Sequence, residues 1–385
     1  MAIRVNPKFI DILDRFGAED VQLCYQCGDC TTICSHADDV YKFPRKSMRL
    51  LQMGLDRKIE SSLEPWLCYY CGQCSEQCPR EADPGETMMS LRRWLISRYD
   101  ITGIARQFFK SRLVEILSVL VIALFTGIFL LYYGFSGGSI LIYDGEGAFL
   151  PSKFIHKFDL TLGAILAGFL VINAIRMWYL VMIAGTQFKV QWWLYLEELY
   201  QLPWHFFTQK RYSECELKSK HTFYMPWFIH LGLMLGYVTM LVLVMVFIEQ
   251  LQSGPAIKWS VHIFGYIATI GLLAGTIYFI RKRTKKNYVQ YKKSHSTDWV
   301  FVILLFIIVL TGIAQHVFHR TGLNEWANIT YVIHLMCVVP WLFRMPFSKW
   351  AHMIYRPLAM YFASIRKNAL ARQEEITQFH PVFIK

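Results

Sequence analysis

Six apolar segments follow one another along the chain, at roughly 113–134, 158–184, 224–248, 259–280, 299–318 and 328–354. Each is long enough to cross about 30 Å of hydrocarbon as a helix. Hydrocarbon offers a backbone no water to bond, so a span must be a helix or part of a closed barrel, and apolar runs of this length are helical. The sequence therefore predicts an all-α protein, most of it a six-span transmembrane bundle. Composition agrees, with 54% hydrophobic and 16% aromatic residues. The last segment contains Pro340 and Pro346, which predicts a kink or a surface extension there.

Loop charges set the orientation. The 185–223 loop carries Lys189, Lys210, Arg211, Lys218 and Lys220, and the 281–298 loop carries Arg281, Lys282, Arg283, Lys285, Lys286, Lys292 and Lys293. The alternate loops hold little basic charge, with Lys153, Lys258 and Arg320 near their ends. Basic loops stay inside, so both termini are expected in the cytoplasm and the protein in the cytoplasmic membrane. The net charge of +12 is then inner-loop charge and needs no nucleic-acid partner. Met1 to Gly17 has no apolar core of a signal peptide, which keeps the first hundred residues cytoplasmic. An aromatic run in the 185–223 loop (Trp192, Trp193, Tyr195, Leu199, Trp204, Phe206, Phe207) reads as an interfacial helix. There is neither a GxGxxG nor a GxxxxGK[ST] motif, so the chain brings no dinucleotide fold or P-loop of its own.

The remaining signal is cysteine. Cys24, Cys27, Cys30 and Cys34 follow the spacing C-x2-C-x2-C-x3-C, and Cys68, Cys71, Cys74 and Cys78 repeat it, with Pro79 next. In a reducing compartment such clusters mean metal chemistry rather than disulfides. Three thiolates at this spacing wrap one face of a cubane, and in two-cluster ferredoxins the fourth cysteine of each run serves the other cluster. This assigns Cys24, Cys27, Cys30 and Cys78 to one [4Fe–4S] cluster and Cys68, Cys71, Cys74 and Cys34 to a second. Zinc favours two-plus-two spacing in closed sites and fits less well. Helical patterns at 44–53 and 86–99 predict a helical rather than strand-rich ferredoxin module. The division expected is a module at 1–105, a haem-binding bundle at 106–355 and a cytoplasmic tail at 356–385.

Imidazoles inside spans are costly and point to function. His334 and His352 are separated by about five helical turns, so on one continuous helix they share a face, about 27 Å apart along the axis. That register suits two stacked b haems, one near each membrane surface. Depth pairs His352 with His230 for the inner haem. For the outer haem His334 takes His262, with His316 as the alternative. Hydrogen bonding between helices is the plain alternative for some of these residues.

With these residues in place the chain resembles a known family, the membrane subunit of quinone-interacting membrane-bound oxidoreductases of sulfate-reducing prokaryotes. The first part resembles the small iron–sulfur subunit of heterodisulfide reductase, through Cys24-Tyr25-Gln26-Cys27-Gly28-Asp29-Cys30 and Cys71-Gly72-Gln73-Cys74 to Cys78-Pro79. The second is similar to the diheme gamma subunit of respiratory nitrate reductase, through Phe228-Ile229-His230-Leu231-Gly232 and His334 to Pro346-Phe347-Ser348-Lys349-Trp350-Ala351-His352. Where that family has a second span-three histidine, this chain has Met240. The resemblance implies menaquinol as donor, two soluble flavin and iron–sulfur subunits as partners, and adenylylsulfate reductase as final acceptor. Lys258, His316 and Arg320 are candidate quinol contacts, although Lys258 and Arg320 equally suit interfacial anchoring. Two rivals are the same chemistry reversed, as a quinone reductase, and a haem-free anchor for the iron–sulfur module.

Overall fold

The structure is a computed structural model that describes residues 4–136, 152–186, 188–216, 225–252 and 259–379. It is 77% helical, and the described residues contain no strand. In the module, α1 (Arg45–Gln52) and α2 (Pro84–Tyr99) are the longest elements before the spans. Helix α2 begins where Asp83 caps the Glu86 amide and Pro84 occupies the first turn, whose amide needs no partner. Its apolar residues Met88, Leu91, Leu95 and Tyr99 are buried in one core with Phe9, Leu13, Met48, Leu51 and Trp66. The module thus has the hydrophobic interior of a folded domain, built from short helices.

Six helices are long and apolar enough to cross a membrane. They are α3 (Arg112–Ser136), α4 (Ser152–Trp178, continued by a π-helical turn at Tyr179–Ala184), α6 (Met225–Gln252), α7 (Trp259–Lys285), α8 (Ser296–Arg320) and α9 (Asn324–Phe343). Between α4 and α6 lies the short α5 (Gln201–Thr208), with Trp204 and Phe207 exposed as an interfacial helix requires. Helices α6 and α7 touch backbone to backbone. A Cβ on Gly271 would lie 2.8 Å from the Gly232 carbonyl oxygen, and one on Gly236 2.8 Å from that of Ala268. Small residues allow this approach where no hydrophobic effect drives helices together. Span α3 is tied to the bundle by a buried ion pair of Glu115 with Arg344.

The last span is interrupted near Pro346 as expected, but it ends earlier than the expected 354. It starts at Asn324 and stops at Phe343, and after a 3-10 turn at Lys349–Ala351 a separate helix, α10 (His352–Phe379), begins. Pro346 disfavours helical backbone at Met345, and Ser348 is extended, so the helix breaks between Arg344 and Ser348. Pro340 is accommodated inside α9. His334 and His352 therefore stand on different helices, and the shared face inferred for them does not exist.

The described part of the expected tail packs against the module. Tyr355, Ala359, Phe362 and Ala369 form a buried stripe on α10. Tyr355 packs against Trp66 and Tyr99 of the module with ring centroids 5.4 and 5.3 Å apart. The Tyr41 hydroxyl donates to the Ala363 carbonyl at 3.3 Å. Ion pairs complete the seam: Lys349 holds Asp298 of α8 at 2.5 Å, Arg93 of α2 reaches the same carboxylate at 3.8 Å, and Lys293 pairs with Asp20.

Candidate electron-transfer centres

The two cysteine runs fold into near-copies of one loop. Gln26 and Gly28 have φ of 65° and 103°, and Tyr70 and Gly72 have 56° and 85°, before short helices Asp29–Thr32 and Gln73–Glu76. The left-handed turn explains the glycine inside each C-x2-C-x2-C. It aims amides back at sulfur: the Gln26 N–H donates to Cys24 Sγ at 3.4 Å and the Tyr70 N–H to Cys68 Sγ at 3.3 Å. Cys78 is an electrostatic neighbour of Cys24 and Cys30, whereas Cys34 is one of Cys68 and Cys74. The fourth cysteine of each run is thus brought to the other run.

Among the described residues no three His, Cys, Asp or Glu side chains converge as a single-ion site. Eight thiols in two interlocked sets, with amides donating to sulfur, fit the donor chemistry of iron–sulfur clusters. Burial pushes the Cys30 and Cys68 thiols up to about 11, and the neighbouring thiols add to the rise. Binding metal as thiolates would release those protons.

The two sets differ in exposure. Cys27 is exposed to solvent, while Cys68 and Cys74 are buried. The second set faces the bundle. Cys71, Gln73 and Gln77 line a cavity of about 550 Å3 that His230 and His352 also line.

Those two histidines are brought together as depth predicts, with ring centroids 6.3 Å apart. Two metal–imidazole bonds of about 2.0–2.1 Å through one ion would place ring centres roughly 6 Å apart. The His230 Nδ1 meets Gln209 Oε1 at 2.7 Å, and the His352 Nδ1 meets the Lys349 carbonyl oxygen. Bonding Nδ1 to oxygen fixes the tautomer and leaves Nε2 as the metal-binding nitrogen. These residues therefore fit the pair that would hold a haem iron. His205 of α5 lines a smaller neighbouring cavity with both of them, and burial pulls its imidazole down to about 4.

On the far side the arrangement is different. His262 does not take His334; its ring lies 6.0 Å from that of His316, the alternative partner. Depth is the reason. His262 is three residues into α7 and His316 four residues from the end of α8, whereas His334 lies ten residues into α9, about 15 Å along the axis. The His334 Nδ1 bonds Thr311 Oγ1 at 2.8 Å, and its ring packs on Gly312. The His262 Nε2 accepts from Arg320 at 3.2 Å, and the His316 Nε2 shares a 3.0 Å hydrogen bond with the Tyr266 hydroxyl. Lys258 lies outside the described residues.

Three residues of these sites escape a reading of the sequence. Tyr266, and Arg356, which lines the cavity with His230 and His352, each stand one helical turn after a singled-out histidine, and that spacing is the signal that could have found them. Gln209 has no such signal, because it reaches His230 only through the left-handed end of α5.

Comparison with known proteins bears on the module. A family model for a 4Fe-4S dicluster domain matches residues 23–82. Residues 23–82 form an iron–sulfur electron-transfer domain. A protein of Archaeoglobus profundus described as like the C subunit of heterodisulfide reductase is 33% identical over 108 residues, 28% of this chain and 57% of that protein. The iron-sulfur C subunit of the CoB–CoM heterodisulfide reductase of Methanopyrus kandleri is 39% identical over 84 residues, 20% of this chain and 44% of that protein. The chain thus spans about half the length of the curated relatives it matches. No solved structure matches it.

Proposed function

We propose that this chain is a membrane electron-transfer subunit that takes electrons from menaquinol and delivers them, through a b haem and two [4Fe–4S] clusters, to soluble flavin and iron–sulfur partner subunits. By the resemblance, adenylylsulfate reductase is the final acceptor. The supporting observation is the shared cavity, since Cys71 and the imidazoles of His230 and His352 line one space at the junction of module and bundle. When bound, haem and cubane clusters supply one-electron carriers, which splits the two electrons of a quinol.

The chain's residues then take defined parts. His230 and His352 hold the haem, oriented through Gln209 and the Lys349 carbonyl. Cys68, Cys71, Cys74 and Cys34 hold the proximal cluster, and Cys24, Cys27, Cys30 and Cys78 the distal one, whose exposed Cys27 leaves it open to a partner. On the far side Tyr266, His316, His262 and Arg320 form a polar cluster within an apolar bundle. Each quinol oxidised gives up two electrons and two protons, and His316 Nε2 is placed to accept a proton from a quinol hydroxyl, with the Tyr266 hydroxyl that bonds it as the relay. This cluster serves as the quinol site rather than a second haem, because both Nε2 atoms already have polar partners.

The test is anaerobic reduction of the purified chain by a menaquinol analogue, followed by iron–sulfur EPR. Both cluster signals should grow in the wild type. In Cys78→Ser the proximal signal alone should remain and still be reduced. Absence of any cluster reduction by quinol, or selective loss of the proximal signal in Cys78→Ser, would sink the assignment.

A further inference from the structure

The cavity between module and bundle is lined by more cations than anions, and most of the cations are engaged. Arg93 and Lys349 share Asp298. Arg92 donates to the carbonyl oxygens of Pro65 and Cys68. Lys282 stacks 4.1 Å over the Tyr288 ring. Arg283, whose guanidinium lies 5.7 Å over the Tyr291 ring near Asp298, and Arg356 also keep unused donors: Arg283 Nε and Nη1 and Arg356 Nε are buried atoms with no hydrogen-bond partner among the described residues. A buried guanidinium donor left unpaired is costly, and its natural complement is a carboxylate or phosphate oxygen. Both arginines line the cavity that contains His230 and His352.

Arg356 also has a second attachment. Its Nη2 donates to the Cys68 carbonyl at 3.2 Å, and its guanidinium lies 3.7 Å over the Tyr69 ring. One side chain thus touches the loop of the proximal cysteine set while keeping a donor for the cavity.

We propose that Arg283 and Arg356 form a carboxylate-binding site for the acidic side chains of the tetrapyrrole held by His230 and His352. This rests on the haem reading given above. It adds that the carboxylate edge of the ligand lies on the side of the cavity nearest the Cys68–Cys71 loop, with Arg356 joining the two centres.

The experiment compares the full chain in membranes as wild type, as Arg283→Gln/Arg356→Gln and as Arg283→Lys/Arg356→Lys, reading haem per iron–sulfur signal and the haem midpoint potential. The glutamine pair should retain haem about tenfold less well or worse, and the lysine pair should keep most of it. Either single glutamine variant should lower the haem potential, because a cation that favours the reduced state is gone. A glutamine pair with wild-type haem and potential would overturn the proposal. So would equal loss in the lysine pair, since the residues would then act by packing rather than charge. A wild type without haem would instead fail the His230/His352 reading and this proposal with it.

Discussion

Two pairs of imidazoles, His230/His352 beside the module and His262/His316 on the far side, hold their rings 6.3 and 6.0 Å apart, yet their nitrogens are engaged in opposite ways. In the first pair oxygen acceptors occupy Nδ1 and Nε2 is left for a metal. In the second, Arg320 and Tyr266 occupy Nε2. Ring spacing alone would assign both pairs to haem. In the proposed function, hydrogen-bond wiring separates them into a ligand pair and a proton-handling pair, and the distinction matters because the tautomer of an imidazole decides which nitrogen can bind a metal.

The largest effect is expected on the far side. His316→Ala should lower quinol oxidation by about 10²- to 10⁴-fold, the usual range for losing a positioned proton acceptor, with haem content unchanged. Loss of haem together with activity would make His316 a ligand and erase the difference between the pairs. A smaller effect sharpens the near side. Gln209→Ala removes the partner of His230 Nδ1 and should weaken haem retention by about 10- to 100-fold, as losing the group that orients a metal ligand does, with quinol binding intact. Retention identical to the wild type would show that the bond to Gln209 does not orient the ligand.

How far the sequence reaches follows from whether a signal is local. The cysteine spacing contains its own geometry, since each loop closes within a few residues, and the crossover at Cys34 and Cys78 reappears as electrostatic neighbours. The six spans are legible because hydrocarbon thickness sets their length. Depth along the spans pairs His230 with His352, but the supporting argument from a common helix face fails at Met345–Pro346. The far-side partner fails for the opposite reason, because two residues near helix ends meet before either meets one buried ten residues deep. The packing of α10 on the module is hidden because its stripe of Tyr355, Ala359 and Phe362 resembles that of any amphipathic surface helix, and only the aromatic cluster with Trp66 and Tyr99 shows what it covers.

The most direct test is a pyridine haemochrome count on the purified full chain beside His352→Ala and His316→Ala. One b haem per chain is expected in the wild type and in His316→Ala, and none in His352→Ala. Full haem content in His352→Ala, or a wild type that carries no haem while its clusters are intact, would contradict the His230/His352 assignment.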